Sequence, residues 1–231
     1  MAVRFSVENG VGILTLDRPG RAHAYDRTHL ELLSLALDAV DTPVVVINST
    51  GDRAFCGGAD LDEMSAGGPL DALDLRSQII FTRLARLPAI TIAAIQGPAV
   101  AGGFELALAC DLRVVGPNAR FSLPETALGL IPSAGGTTRL ARLVGASRAK
   151  EVILGGRTLD ADTAIDWGIA HRKADDPRAE ARRWATELLA RDAVAQVQAK
   201  RLLDADESAV SLLSERVVEV GLYFRKYQLK K

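Results

Sequence analysis

Two carboxylates keep apolar company in this chain. Glu105 interrupts the run Phe104-Glu-Leu-Ala-Leu-Ala, and Glu125 stands within Leu123-Pro-Glu-Thr-Ala-Leu. Acids are rarely buried unless they are paired or put to use. Burial also lifts a carboxyl pKa towards neutrality, where the group can give or take a proton. General acid–base chemistry is one use of such a pair. Structural ion pairing with Arg113 or Arg139 is the other, and spacing alone leaves both open.

Three glycine turns accompany the acids: CGGAD at residues 56–60, AGGFE at 101–105 and SAGG at 133–136. Glycine permits close backbone approach and unusual dihedrals, so these turns can aim unpaired N–H groups at a ligand. At a helix start the same groups carry the positive end of the macrodipole. Their chemical use would be an oxyanion hole for a carbonyl oxygen gaining charge; their plain use is a tight strand-to-helix turn. None ends in Gly-Lys-Ser or Gly-Lys-Thr, and none is a dinucleotide fingerprint in its proper context. Nucleotide hydrolysis and nicotinamide chemistry recede.

The elements that must position these groups are legible in the hydropathy pattern. Residues 3–7 and 11–16 read as paired strands around an Asn9-Gly10 turn. Asp26 can cap a helix over 28–40, whose Leu30, Leu33, Leu37 and Val40 repeat at helical spacing. Residues 44–47 are β-branched throughout and suit a strand covered on both faces. A helix over 70–87 stopped by Pro88, a strand over 89–95, a glycine turn and a short helix through Leu106 follow. Strands are expected at 111–115 and 120–123, and a helix from Gly135 through Leu143. Beyond Pro177 the pattern is helical, at 179–189, 194–203 and 208–224. An α/β body over residues 1–175 with a helical C-terminal region over 176–231 is therefore expected.

Composition narrows the function classes. With 231 residues the chain can bury one large core. Its 28 Lys and Arg against 29 Asp and Glu give a net charge of −1 without a basic stretch, which argues against nucleic acid as a partner. Cys56 and Cys110 are too few for a disulfide framework or a paired-cysteine zinc site. No apolar run approaches the roughly 20 residues of a membrane span, and no secretory pattern opens the sequence. A cytoplasmic, reducing environment without membrane contact is the expectation.

The motifs resemble those of the crotonase superfamily of acyl-CoA enzymes, in particular its enoyl-CoA hydratases and isomerases. AFCGGADLDEM (54–64) is similar to the first signature, QGPAVAGGFELALACD (96–111) to the second and FSLPETALGLIPSAGGTTRL (121–140) to the third. The resemblance implies a crotonase-like fold of repeated ββα units. It assigns the backbone N–H groups of Ala59 and Gly102 to the oxyanion hole, and Glu105 and Glu125 to catalysis, the former as water-directing base and the latter as proton donor. Arg21, Ala22, Gly57, Asp60, Leu61, Pro124 and Ser133 fall on positions that line the substrate and its coenzyme A. No metal or separate cofactor is implied, coenzyme A being part of the substrate.

The departures concern selectivity. In RPGRAHAYD (18–26) the family usually shows Leu-Asn-Ala-Leu after a variable pair, so Ala22, His23 and Tyr25 stand for a larger residue, Asn and Leu. His23 is read as structural or pocket-lining, and Cys56 as a tolerated bystander. Ser133 stands where hydratases often have glycine near the activated water. The resemblance also implies assembly into homotrimers or hexamers through the helical region. The usual closing segment is not matched by the final YQLKK (227–231), so the acyl site is expected to be closed by a neighbouring subunit or to be unusually open. Hydration of a 2-enoyl-CoA is the leading expectation. Enoyl-CoA isomerisation or another reaction of the same scaffold is second, and noncatalytic acyl-CoA binding third.

Overall fold

The computed structural model describes residues 3–66 and 76–204. Strands β1 (Val3–Glu8) and β2 (Val11–Leu16) form an antiparallel hairpin. Its turn has Asn9 and Gly10 at φ 51° and 80°, the paired positive dihedrals that a tight two-residue hairpin needs. Helix α1 (Arg27–Asp38) follows, capped by Asp26, whose carboxylate accepts from His29 N at 3.0 Å. Then come β3 (Val44–Ser49), α2 (Leu61–Ala66), α3 (Arg76–Ala85), β4 (Ile90–Ile95), β5 (Ala99–Val100) and α4 (Gly102–Leu108). Strands β6 (Leu112–Val115) and β7 (Arg120–Ser122) precede α5 (Gly136–Ile153). The described chain ends with β8 (Leu159–Asp160), α6 (Ala161–Asp166), β9 (Arg172–Lys173), α7 (Pro177–Leu189) and α8 (Ala193–Leu203).

The main sheet runs β1-β2-β3-β4-β6-β9, parallel from β2 onward, and a small sheet β5-β7-β8 lies apart from it. Alternate side chains of the central strands serve two cores, as the period of two requires. Val45, Ile47, Ala93, Ile95 and Val115 join the large core that includes α1, α3 and α4. Val44, Val46, Ile92, Ala94 and Val114 face the other way, onto Ala181 and Ala185 of α7. Residues beyond 175, expected as a region for assembly, thus also supply one wall of the body. Lys200 of α8 is buried as well: its Nζ donates to Ala89 O at 2.9 Å and to Asp111 at 2.8 Å.

Most expected elements are present with shifted ends. The helix expected to stop at Leu143 continues to Ile153 across a kink at Gly145, where φ is 79°. Strands β5, β8 and β9 have two residues each, and α2 and α6 six; none is long enough to show a period. Residues 70–75 and 208–224, both expected to be helical, lie outside the described residues.

Helix α4 carries the candidate acid Glu105, and its C-terminal end is braced by a buried cation. Arg113 is 2% exposed. Its guanidinium donates to Cys110 O at 2.7 Å, to Ala107 O at 3.2 Å and to Ile169 O. Carbonyls at a helix C-terminus carry partial negative charge and lack intrahelical donors, so the guanidinium caps the end of α4 at two carbonyls and ties it to the segment after α6 at a third. Neither catalytic carboxylate candidate pairs with it. Arg113→Met should strand those carbonyls in an apolar interior and cost about 3 kcal/mol of stability, read as a lower denaturant midpoint; an unchanged midpoint would show that water reaches the site.

Candidate active site

Two turns meet at the N-terminus of α4. The segment after β3 returns along β5, with Phe55 and Cys56 N–H groups donating to Pro98 O and Val100 N–H to Cys56 O. Contact is close enough to exclude any side chain: a Cβ on Gly103 would lie 2.0 Å from the Cys56 carbonyl oxygen. A Cβ on Gly58 would lie 3.1 Å from Gly102 N, and Gly58 itself has φ 91°. Glycine is required at both positions for approach, and at the second for its dihedral as well.

The direction of the donors follows from the backbone. Tyr25 N donates to Gly58 O and Asp60 N to Tyr25 O, each at 2.8 Å. In such a parallel bridge the intervening residue, Ala59, turns its own N–H to the opposite side. Ala101 adopts φ 52° and ψ −127°, a strained conformation for a residue with a Cβ. It is held there by Ala101 N donating to Ser122 O at 2.9 Å, while its carbonyl accepts from Phe104 and Glu105. The next N–H, that of Gly102, opens α4 and has no carbonyl a turn earlier to bond. Among the described residues neither Ala59 N–H nor Gly102 N–H has a protein acceptor.

Glu105 sits in the first turn of α4 and is 3% exposed. Its Oε1 accepts from Ala134 N at 2.7 Å and Gly136 N at 2.8 Å, both from the third glycine turn. Arg139 steadies that turn by donating to Ala134 O at 2.7 Å. Burial raises the Glu105 pKa above the ordinary carboxylate value, while the two N–H bonds and the Arg139 charge act in the opposite sense. Glu125 opens the 3₁₀ turn Glu125–Leu128 and is 8% exposed. Among the described residues its Oε2 is buried without a hydrogen-bond partner. Burial, and secondarily the charge of Glu105, pushes its pKa up to about 7. The carboxyls therefore occupy contrasting environments, one solvated by the backbone and one bare.

The remaining candidates divide between the site's rim and its supports. Arg21 is exposed and pairs with Asp62 at 2.7 Å, and Leu61 is exposed at the start of α2. Ala22, at φ 49°, accepts from Gly57 N at 2.9 Å. Asp60 is buried, with its carboxylate engaged by Arg18 at 2.8 Å and by Asp62 N at 3.0 Å; it braces the loop that carries Ala59. Pro124 precedes the 3₁₀ turn and accepts from Ala127 N. Ser133 has an exposed side chain, and its carbonyl accepts from Gln78 Nε2 at 2.9 Å.

His23 is fully committed to structure. Nε2 donates to Thr50 O at 2.9 Å and Nδ1 accepts from Arg18 N at 3.0 Å, which defines the neutral tautomer. Burial lowers its pKa. The Cys56 and Cys110 thiols are buried and pushed up to about 12 by that burial, far from nucleophilic. Sequence reasoning overlooked Ala134 and Gly136 as the donors holding Glu105, although the SAGG turn was their signal. From the sequence, Arg139 is only an ion-pair candidate and Tyr25 only one of the departures that bear on selectivity. Among the described residues no three His, Cys, Asp or Glu side chains gather as metal ligands would, and no helix is long and apolar enough to cross a membrane.

Known proteins share this arrangement of chain. A probable enoyl-CoA hydratase of Mycobacterium tuberculosis is 38% identical over 214 residues, 89% of this chain and 83% of that protein. A probable mitochondrial enoyl-CoA hydratase of Arabidopsis thaliana is 42% identical over 172 residues, 71% of this chain; the match spans 56% of the plant protein. An enoyl-CoA hydratase structure from Bacillus anthracis superposes with a TM-score of 0.94 at 30% identity, covering 99% of this chain and 93% of that one. A Thermobifida fusca protein solved in complex with CoA gives a TM-score of 0.90 at 31% identity, covering 98% and 95%. The α/β fold is thus the crotonase fold expected from the motifs, and with residues 6–229 matched by its model the chain belongs to the enoyl-CoA hydratase/isomerase family.

Proposed function

We propose that the protein is an enoyl-CoA hydratase, adding water reversibly across the 2,3 double bond of a 2-enoyl-CoA thioester. The observation that carries this reading is the presence of two buried carboxyls with contrasting hydrogen-bond partners beside two unpaired N–H groups. The thioester oxygen would accept from Ala59 N–H and Gly102 N–H. Water held by Glu105 attacks Cβ, Glu105 taking its proton as the double-bond electrons move towards the thioester oxygen. The resulting enolate collapses by taking a proton at Cα from Glu125. The environments suit these roles: two N–H bonds and the Arg139 charge favour the ionised form of Glu105 against its burial, and a buried oxygen without a partner favours the protonated form of Glu125. Two aimed dipoles stabilise an enolate without a metal, so coenzyme A enters only as part of the substrate.

Crotonyl-CoA should lose its conjugated absorbance in the presence of the protein. Glu105→Gln and Glu125→Gln should each lower kcat by about a thousandfold. A wild-type protein inert on short and medium 2-enoyl chains would overturn the reading. Conjugation of a 3-enoyl-CoA by Glu105→Gln would favour an isomerase, which can work with one carboxyl.

Hydration needs Glu125 protonated, so kcat should fall as pH rises through about 7, the limb belonging to the coupled pair. Stability carries the same sign. A carboxyl whose pKa is higher folded than unfolded binds more protons in the native state, so its contribution declines between the unfolded value of about 4.5 and the folded value of about 7. Glu125→Gln should remove that decline, and its melting temperature should gain on wild type as pH is raised across this window. Parallel melting curves from pH 4 to 8 would contradict it.

Assembly into a homotrimer or hexamer is part of the same proposal. Leu128, Leu130 and Ile131, directly after Glu125, are 61%, 47% and 68% exposed in the single chain, an apolar run that a partner subunit would cover. Light scattering should give the mass of three or six chains; a monomer would exclude this assembly.

A further inference from the structure

Tyr25 binds the two arms of the oxyanion hole to each other. Its backbone bridges Gly58 and Asp60 on either side of Ala59. Its hydroxyl lies over Gly102: a Cβ there would sit 1.9 Å from the phenolic oxygen. Cα–Cβ bonds tilt towards a helix N-terminus, so the hydroxyl lies at the open end of α4, beside the Gly102 N–H. The ring packs edge-on against Phe81 of α3, with centroids 5.7 Å apart and planes at 87°. Ser77, one turn earlier on α3, is the polar side chain beside the hydroxyl, and its neighbour Gln78 ties α3 to Ser133 O. Burial, above all, raises the phenol pKa, and the nearby acidic groups act in the same sense, so the hydroxyl remains a neutral donor and lies within electrostatic reach of both carboxyls.

Packing against Phe81 requires only the ring; nothing in that contact uses the hydroxyl. We propose that Tyr25, backed by Ser77, determines substrate specificity: its hydroxyl hydrogen-bonds an oxygen carried by the acyl group close to the 2,3 double bond. The preferred substrates are then hydroxyl- or carbonyl-bearing enoyl-CoA thioesters, and plain hydrocarbon chains are poorer ones. A site built to hydrogen-bond a substrate oxygen leaves its own polar group unpaired when that oxygen is missing. This inference rests on the hydratase reading of the site.

The test compares 4-hydroxycrotonyl-CoA with crotonyl-CoA, which differ by one hydroxyl. Wild type should show kcat/KM about tenfold higher for the hydroxylated substrate. Tyr25→Phe, with folding checked by circular dichroism, should bring the ratio close to one, and Ser77→Ala should reduce it partway. A wild-type ratio near one, or a ratio unchanged in Tyr25→Phe, would overturn the proposal. Should Tyr25→Phe not fold, Ser77→Ala decides by the same ratio. If neither thioester is hydrated, the hydratase reading itself falls. Calorimetry with saturated 4-hydroxybutyryl-CoA and butyryl-CoA then decides the role of Tyr25: tighter binding of the hydroxylated ligand by wild type but not by Tyr25→Phe supports it, and equal affinities refute it.

Discussion

Everything in the site depends on how closely two stretches of backbone approach each other. The Cys56 carbonyl lies where a side chain at Gly103 would be, and Gly58 is pressed against Gly102 N. That contact sets the separation of the two N–H donors and leaves no tolerance for a methyl group. It also explains the strain at Ala101: the chain must turn from β5 into α4 within one residue, and φ 52° is the dihedral that does it. Strain of this sort, about 1–3 kcal/mol for a non-glycine residue, persists only when the surroundings over-determine it. Here the bonds to Ser122, Phe104 and Glu105 do so, with Arg113 fixing the far end of the same helix.

The two carboxyls differ because the turns around them differ. Glu105 projects from α4 towards a glycine turn that ends in a second helix start, and such a turn supplies N–H groups in pairs. Arg139, one turn into α5, draws the loop in through the Ala134 carbonyl and adds positive charge near Glu105. Glu125 opens a short 3₁₀ turn whose following residues, Leu128 to Ile131, are apolar. Such a segment offers no second donor, so the Glu125 Oε2 is left bare. One chain thus gives two identical functional groups different surroundings, two N–H donors and the Arg139 charge at Glu105 and an unpartnered oxygen at Glu125.

Much of this was legible before any coordinates. The central strands announce themselves because β3 and β4 are buried on both faces and are mostly apolar, and α1 because one face repeats as a helix must. Glu105 and Glu125 stand out by their apolar neighbours, and the glycine turns by their composition. The missing parts share a cause: they depend on contacts between segments distant in sequence. Three strands of two residues exist only as partners of other strands, and the kink at Gly145 leaves the helical pattern running through it. Asp60 illustrates the same limit. It stands in a motif that resemblance alone places along a substrate, yet its carboxylate is taken by Arg18, more than forty residues earlier.

The segment from Arg18 to Asp26 shows how one strap can change chemistry while keeping its path. Ala22 and His23 both lie at positive φ, a conformation that a bulky residue adopts only when held. The His23 ring holds it, spanning Arg18 N and Thr50 O. A neutral imidazole offers one acceptor and one donor on opposite edges, which is the pair this turn needs. The Arg18 guanidinium then reaches Asp26, Asp60 and Ala24 O, so the strap is tied to both α1 and α2. Two residues further on, Tyr25 uses its backbone for the same bracing, and its side chain is left to face the end of α4. With the path secured by His23 and Arg18, the residue at position 25 could vary without moving Ala59 or Gly102. That separation of scaffold from side chain would let a single departure alter what is recognised beside α4 while the Ala59 and Gly102 N–H groups stay where they are.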